Sequence, residues 1–423
     1  MDAQKRTRSC ARQRMPQREG TARGARQICV PMTRDLYDGI WDDAGKVREF
    51  LQLLVQTSPE LFPEGIQAGF QLWGHLPESR KMPGVRLRQL RLLDGSVFTL
   101  RPSFAMSYMT GTVDDLEHPL LLLSFGVPPW VVTKIFGHND MYWYRQLGGL
   151  GRNSLVGTTV RDPERLPEHL AADEHHADWS GQKGYVAFTA GAGCVLGAAL
   201  CDSADEEHLT AAYGQFAQES REVKPDYAPK TVNTDGWFAT RNAFRALFPT
   251  IVAVLCFLHG FLKIRDRCRK ARELHQRVWD VYRATTAAEF RQRMTAFREW
   301  CQQGDWPKAI LDVLEKLWNR ESDYVESYSH PGCHRTSNLC DRLMNRLTRL
   351  LYAGRGLHGH QRSSELRLRG WALLQNFRPF APRSRQTREY QSPAHKLNQK
   401  QYHPHWLHNL QVCTSLAGRR PCT

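Results

Sequence analysis

No two of the 11 cysteines in this 423-residue chain form a CxxC pair, and their number is odd. That pattern gives little support to a zinc ribbon or a disulfide framework, and scattered single thiols suit a reducing cytoplasm. Long apolar runs are also missing. The longest lies around Ile251–Leu258, far short of the roughly 20 residues that cross a bilayer. The N-terminus has no apolar stretch of the secretory type. Acidic residues are in deficit: 43 Asp and Glu face 58 Lys and Arg, leaving a net charge of +15. A surface of that sign attracts polyanions, and nucleic acid is the common one. A hydrophobic content of 41% is enough for packed cores, and the length predicts two or three folding units.

Residues 1–35 are expected to be a basic, disordered tail, since the first 30 carry eight Lys and Arg, two acids and no periodicity. Residues 36–165 are expected to form a helical DNA-binding domain. One stretch in it has the form of a helix-turn-helix: Leu120–Leu123 after Pro119, a break at Phe125-Gly126-Val127, and a second helix opened by Pro128-Pro129. A turn at Gly137-His138-Asn139 then precedes a recognition helix over Asp140–Leu147, with Tyr142, Tyr144 and Arg145 as DNA-facing candidates. Gly148-Gly149-Leu150-Gly151 is expected to be a linker. From 166 to 262 the period changes to strands. These are Leu170–Asp173, a hairpin of Tyr185–Ala190 and Cys194–Leu200, Thr231–Thr234, and an apolar run from Thr250 to Cys256 expected to be buried on both faces. Helices over Asp205–Glu219, with Ser203 as N-cap, and Trp237–Leu247 lie between them. Hairpin strands followed by alternating helix and strand predict an α/β fold, a mixed sheet with helices on both faces. Residues 263–330 are expected to be an all-helical insertion, 331–380 the remainder of the core, and 381–423 an irregular C-terminal tail.

Three carboxylates fall where such a sheet would bring them together. Asp173 lies at the first strand and Asp235 ends the fourth, so neighbouring parallel strands place both at one end of the sheet. Asp341 lies on a later helix whose polar residues Asn338, Asp341, Asn345 and Thr348 share one face, opposite Leu339, Leu343, Leu347 and Leu350. Converging oxygen ligands suit Mg²⁺ or Mn²⁺. Two such ions activate a hydroxyl and stabilise the leaving oxygen of a phosphodiester. Cys256-Phe257-Leu258-His259 closes the buried strand, and its His259 reads equally as a satisfied core histidine. Two basic stripes flank these acids and are candidates for DNA backbone contact: Lys263, Arg265 and Arg267 on one, Arg342, Arg346 and Arg349 on the other.

Thr231-Val232-Asn233-Thr234-Asp235-Gly236-Trp237, then Phe248-Pro249, a strand and Cys256-xx-His259, resembles the core of DDE/D transposases, in particular the Mutator-like group and allied bacterial insertion-sequence enzymes. Arg335-Thr336-Ser337-Asn338-x-x-Asp341-Arg342 resembles the closing helix of that family, although the family usually has Glu at the third acid. The resemblance covers roughly residues 168–380. It implies a ribonuclease H-like core, two Mg²⁺ or Mn²⁺ ions on Asp173, Asp235 and Asp341, and a site ordered by Cys256 and His259. It also implies double-stranded DNA as partner (terminal inverted repeats and target), a dimer or higher multimer, and a bacterial, nucleoid-associated location. Glu326 and Glu365 stand as alternatives for the third acid, and Glu174 and Asp178 as competitors for the first. A nuclease without strand transfer, or a transposase-derived regulator with a dead site, are the other readings.

Overall fold

The computed structural model describes residues 23–268, 271–384, 386 and 389–419. Most of the expected tail, residues 1–22, lies outside them. The rest is not tail. Strand β1 (Gln27–Val30) is buried, with Ile28, Cys29 and Val30 at 0% exposure. Helices α1 (Arg34–Ile40) and α2 (Ala44–Thr57) follow. Strands β2 (Phe70–His75), β3 (Arg88–Leu92) and β4 (Val97–Pro102) then complete a four-stranded sheet of order β1-β4-β3-β2. The expectation of a wholly helical domain over 36–165 is thus corrected in its first half. Leu90, Leu92 and Leu100 point inward along β3 and β4, but Arg88 and Arg101 are buried as well and interrupt the apolar period of two.

The second half is helical: α3 (Val113–Ser124), α4 (Pro129–Phe136), α5 (Asp140–Leu150) and the short α6 (Leu155–Thr159). Helix α3 begins well before Pro119, because Thr112 and Asp115 form a capping box and Pro119 is accommodated inside the helix. The glycines after Leu147 are not a linker. A methyl group on Gly151 would stand 1.8 Å from the Leu366 carbonyl, and one on Gly370 would stand 1.9 Å from that of Leu147. The two glycines let two helix backbones meet directly, so α5 is fastened to the body of the protein.

A five-stranded sheet follows, of order β7-β6-β5-β8-β9: β5 (His169–Trp179), β6 (Gln182–Gly191), β7 (Cys194–Cys201), β8 (Thr231–Thr234) and β9 (Val252–Leu255). β6 runs antiparallel to β5 and β7, whereas β5, β8 and β9 are parallel. The chain is therefore α/β with mixed sheets. Helix α7 (Glu206–Val223) follows β7, and α8 (Phe238–Leu247) joins β8 to β9. Asp205, not Ser203, caps α7, accepting from the His208 N–H. β9 is an edge strand with only Val254 and Leu255 buried, so the apolar run there is not covered on both faces.

Beyond β9 come α9 (Phe257–Arg267), α10 (Arg272–Tyr282), α11 (Ala287–Gln303), α12 (Lys308–Trp318) and α13 (Glu321–Val325). They close their own core around Phe257, Phe290, Met294 and Leu314. Helices α14 (Asn338–Ala353) and α15 (Gln361–Phe377) return to the sheet. The strict alternation of β5 divides its neighbours. Ala171 and Ala177 join the core made with α3, α5, α14 and α15, while Leu170 and Ala172 join the one made with α7 and α8.

The C-terminal segment is not irregular. It forms α16 (Pro393–Asn398) and α17 (Trp406–Cys413), and its Val412 and Leu416 complete the core of the N-terminal sheet. Arg101, 1% exposed, donates to Gln411 Oε1 and Thr414 Oγ1, and the Cys29 N–H donates to Ser415 Oγ. The two ends of the described chain are thereby joined. No helix among the described residues is long and apolar enough to cross a membrane. All nine described cysteines are free thiols.

Candidate active site

The register of the parallel strands places the acids. Ala171 pairs with Asn233, and Thr234 with Leu255. Extending that register sets Asp173 beside Asp235, and Asp235 beside Cys256, across three adjacent strands. By the alternation of β5, Asp173 points with Ala171 toward α14. Glu174 points the other way and accepts from the hydroxyls of Tyr213 on α7 and Thr240 on α8. Glu174 is thus a structural acceptor beneath the sheet. Asp178 is also set aside: it is exposed, and its Oδ1 closes a turn by accepting from the Gly181 N–H at 2.9 Å.

Helix α14 brings the third acid. Ligand atoms of Asp173, His259 and Asp341 all lie within 4.8 Å of one another. Asp235 is not a member of that tight group, yet its charge acts on Asp173 from the neighbouring strand. Its Oδ1 accepts from the Trp237 N–H in a tight turn at 2.8 Å. Gly236 has φ +94°, and a Cβ there would lie 2.5 Å from Leu255 and 2.8 Å from Arg320. Only glycine fits after Asp235. The alternatives for the third acid lie elsewhere: Glu326 faces His330 at 3.5 Å, and Glu365 lies on α15 beside Gln361.

Ser337 binds the parts together. It precedes α14 as its N-cap but does not use its side chain to cap the helix. Its hydroxyl donates instead to Asp341 Oδ2 at 3.0 Å, and the same oxygen lies 3.4 Å from His259 Nδ1 and 3.4 Å from Cys256 Sγ. Its backbone N–H donates to Cys256 Sγ at 3.1 Å. Ser337 was not legible as a site residue, because a Ser before an amphipathic helix reads as an ordinary cap. Ser337→Ala is expected to weaken binding of Mn²⁺ at the Asp173–Asp341 pair about 10–100-fold, the usual cost of losing a group that orients a ligand. Ser337→Thr, which keeps the hydroxyl, is expected to retain most of it. Calorimetric titration of Mn²⁺ into both variants checks this.

The electrostatics are those of a crowded acidic site. Burial, then Asp235 and Glu174, pushes the Asp173 carboxyl up to about 7. The hydrogen bond to Cys256 raises His259 to about 9, helped by Asp173 and Asp341. Burial alone would raise the Cys256 thiol, but bonds from His259 and Ser337 outweigh it and the net shift is downward. A half-buried carboxyl whose ionisation is opposed, with a second carboxylate within 4.8 Å, fits a hard divalent cation, whose charge favours the ionised form.

Beside the acids is a cavity of about 560 Å³. Asp235, Cys256 and His259 form one wall, and Lys263 and Arg267 of α9 stand with Lys316 and Arg320 of the α12 end. Lys316 and Arg320 escaped the sequence reading because they belong to a distant helix and lie in no charge run. Arg265 points away and pairs with Asp266 at 3.0 Å. On α14, Arg342, Arg346 and Arg349 are exposed on one stripe. The charges acting on Arg346 are Arg342 and Arg349, and those acting on the buried Arg378 are Arg346 and Arg349. The stripe therefore has like charges for neighbours. In the helix-turn-helix segment, Arg145 is exposed, but the Tyr142 hydroxyl donates to the Thr110 carbonyl and Tyr144 lies under Arg367. Neither a family model nor a curated protein matches the chain.

Proposed function

We propose that this chain is a DDE/D transposase, a metal-dependent polynucleotidyl transferase with a ribonuclease H-like core. The observation that carries the reading is the meeting of Asp173, Asp341 and His259 within 4.8 Å, with Asp235 in register on the next strand. The sheet order β7-β6-β5-β8-β9, antiparallel on one side of β5 and parallel on the other, supports the fold assignment. Asp173, Asp235 and Asp341 hold Mg²⁺ or Mn²⁺, which when bound supplies Lewis acidity to a phosphodiester. His259, kept cationic by Cys256, donates a hydrogen bond to a phosphate oxygen. Lys263, Arg267, Lys316 and Arg320 grip the backbone flanking the reacting phosphate, and Arg342, Arg346 and Arg349 extend the track. In the first reaction water attacks phosphorus and a 3′-hydroxyl leaves. In the second that hydroxyl attacks a target phosphodiester and displaces its 3′-oxygen, so one bond forms for each one broken. Two transposon ends must be held together, which calls for a multimer.

A plasmid carrying paired ends, incubated with Mg²⁺, tests the reading. Wild type is expected to yield nicked and joined products, and Asp235→Ala to lose at least about 10³-fold, the several kcal/mol that a metal ligand represents. Equal activity in the two proteins removes the enzyme claim, and cleavage without joining reduces it to a nuclease.

A further inference from the structure

A second cavity, of about 430 Å³, opens between α5 and the start of α15, away from the acids. Three arginines line it: Arg145 and Arg152 from the α5 side, and Arg367 from α15. No Asp or Glu lines it among the described residues. Arg367 is 7% exposed, and its Nε has no hydrogen-bond partner. Its guanidinium lies 4.4 Å from the ring centre of Tyr144 and faces Gly354, where a Cβ would meet Nη2 at 2.2 Å. A buried cation without a counter-charge is costly, and an anion seated beside it removes the cost. Helix α15 adds to the same field. It is 17 residues long and its first turn reaches the cavity at Ser363 and Ser364, whose N–H groups already donate to the His360 carbonyl, so it contributes the positive end of its dipole rather than free donors.

The cavity is too large and too apolar for a bare oxyanion. Met141, the Tyr144 ring and Leu366 form its other walls. Guanidinium forks beside an aromatic surface match a phosphate attached to a planar base. The cavity is also tied to the catalytic strand: Trp179, the last residue of β5, donates its indole N–H to the Gly359 carbonyl on the cavity rim at 3.1 Å. Asp173 and Trp179 are six residues apart on β5, about 20 Å along an extended strand. We propose that this cavity binds a single unstacked nucleotide through its phosphate. Its assignment to a nucleotide of the DNA engaged at the acidic pocket rests on the transposase reading. A free mononucleotide would share the same chemistry.

Binding to the full-length protein without divalent cation separates these cases. Fluorescence anisotropy follows a labelled oligonucleotide, and calorimetry follows a deoxynucleoside monophosphate and inorganic phosphate. Arg152→Glu and Arg145→Glu, both at exposed positions, are expected to weaken the oligonucleotide about tenfold or more, as lost phosphate contacts do. Arg291→Glu, an equal charge change at an exposed position on the insertion, is expected to cost less than about threefold, the part due to overall charge alone. Arg367→Met is expected to match Arg152→Glu if it folds, and the exposed variants decide the matter if it does not. Loss of mononucleotide binding in the same variants assigns the site to free nucleotide, and loss of oligonucleotide binding alone assigns it to DNA. If inorganic phosphate binds as tightly as the nucleotide, or if Arg291→Glu weakens binding as much as Arg152→Glu, the proposal is overturned. Asp235→Ala, which lies outside this cavity, is expected to leave mononucleotide binding intact, so loss of chemistry and loss of the nucleotide site remain distinct results.

Discussion

Asp173→Asn is expected to abolish the DNA cleavage we propose and, at the same time, to make the metal-free protein more stable above neutral pH. The Asp173 carboxyl ionises near 7 in the folded chain against 3.8 for the free group. Between those values the folded protein holds a proton that the unfolded chain has released. Stability therefore falls as pH rises from about 4 to about 7, by on the order of 2–4 kcal/mol. His259 acts in the same direction. Its folded pKa is raised from 6.5 to about 9, so its contribution is complete below 6.5 and disappears as pH climbs through 9. An amide at 173 removes the first of these losses. Thermal melts of wild type and Asp173→Asn should coincide near pH 4 and diverge by several degrees at pH 8, the variant melting higher. Mn²⁺ should raise the wild-type melt at pH 8 more than at pH 5, since it replaces a proton, and should move the variant little. A variant that still cleaves, or one that melts lower at pH 8, would remove Asp173 from the site.

The second large effect is structural. Glu219 and Arg369 form a buried ion pair, with side chains 11% and 7% exposed. Glu219 also accepts from the N–H groups of Leu155 and Val156, at 2.7 and 3.1 Å, and from the Ser154 hydroxyl at 3.1 Å. One carboxylate thus caps α6 from α7 and neutralises α15. Arg369 in turn donates to the carbonyls of Gly151 and Asn153, next to the glycine contact that fastens α5. Glu219→Ala leaves a buried guanidinium without its counter-charge and the first two N–H groups of α6 without their acceptor. The expected cost is about 3–5 kcal/mol. The double variant Glu219→Ala with Arg369→Leu should recover part of it, because an empty apolar pair is cheaper than a lone buried charge. Urea denaturation measures both, and a loss below about 1 kcal/mol for Glu219→Ala would mean the pair is solvated.

Local pattern was enough wherever a segment carries its own instruction. Strand β8, helices α4, α5, α8 and α14, and the helical block after β9 were legible within a few residues. Their caps, prolines and apolar spacing lie within one or two turns of the residues they direct. The opposite facing of Asp173 and Glu174 also follows from alternation alone. The N-terminal sheet was not legible. β1 is four residues long and takes its place by pairing in parallel with β4, more than 60 residues away. Nor was the C-terminal segment, whose Pro, His and Gln residues become ordered only against a sheet formed at the other end of the chain.

The amino-acid sequence alone therefore determined the α/β alternation, the basic surface and the identity of three separated aspartates. Only the folded chain decided that Asp173 and Asp341 touch a common point with His259, that Ser337 links them, and that Lys316 and Arg320 face Asp235. The reason is physical. Helix and strand are written in the spacing of neighbours, whereas a pocket is made by side chains whose separation along the chain has no bearing on their distance in space.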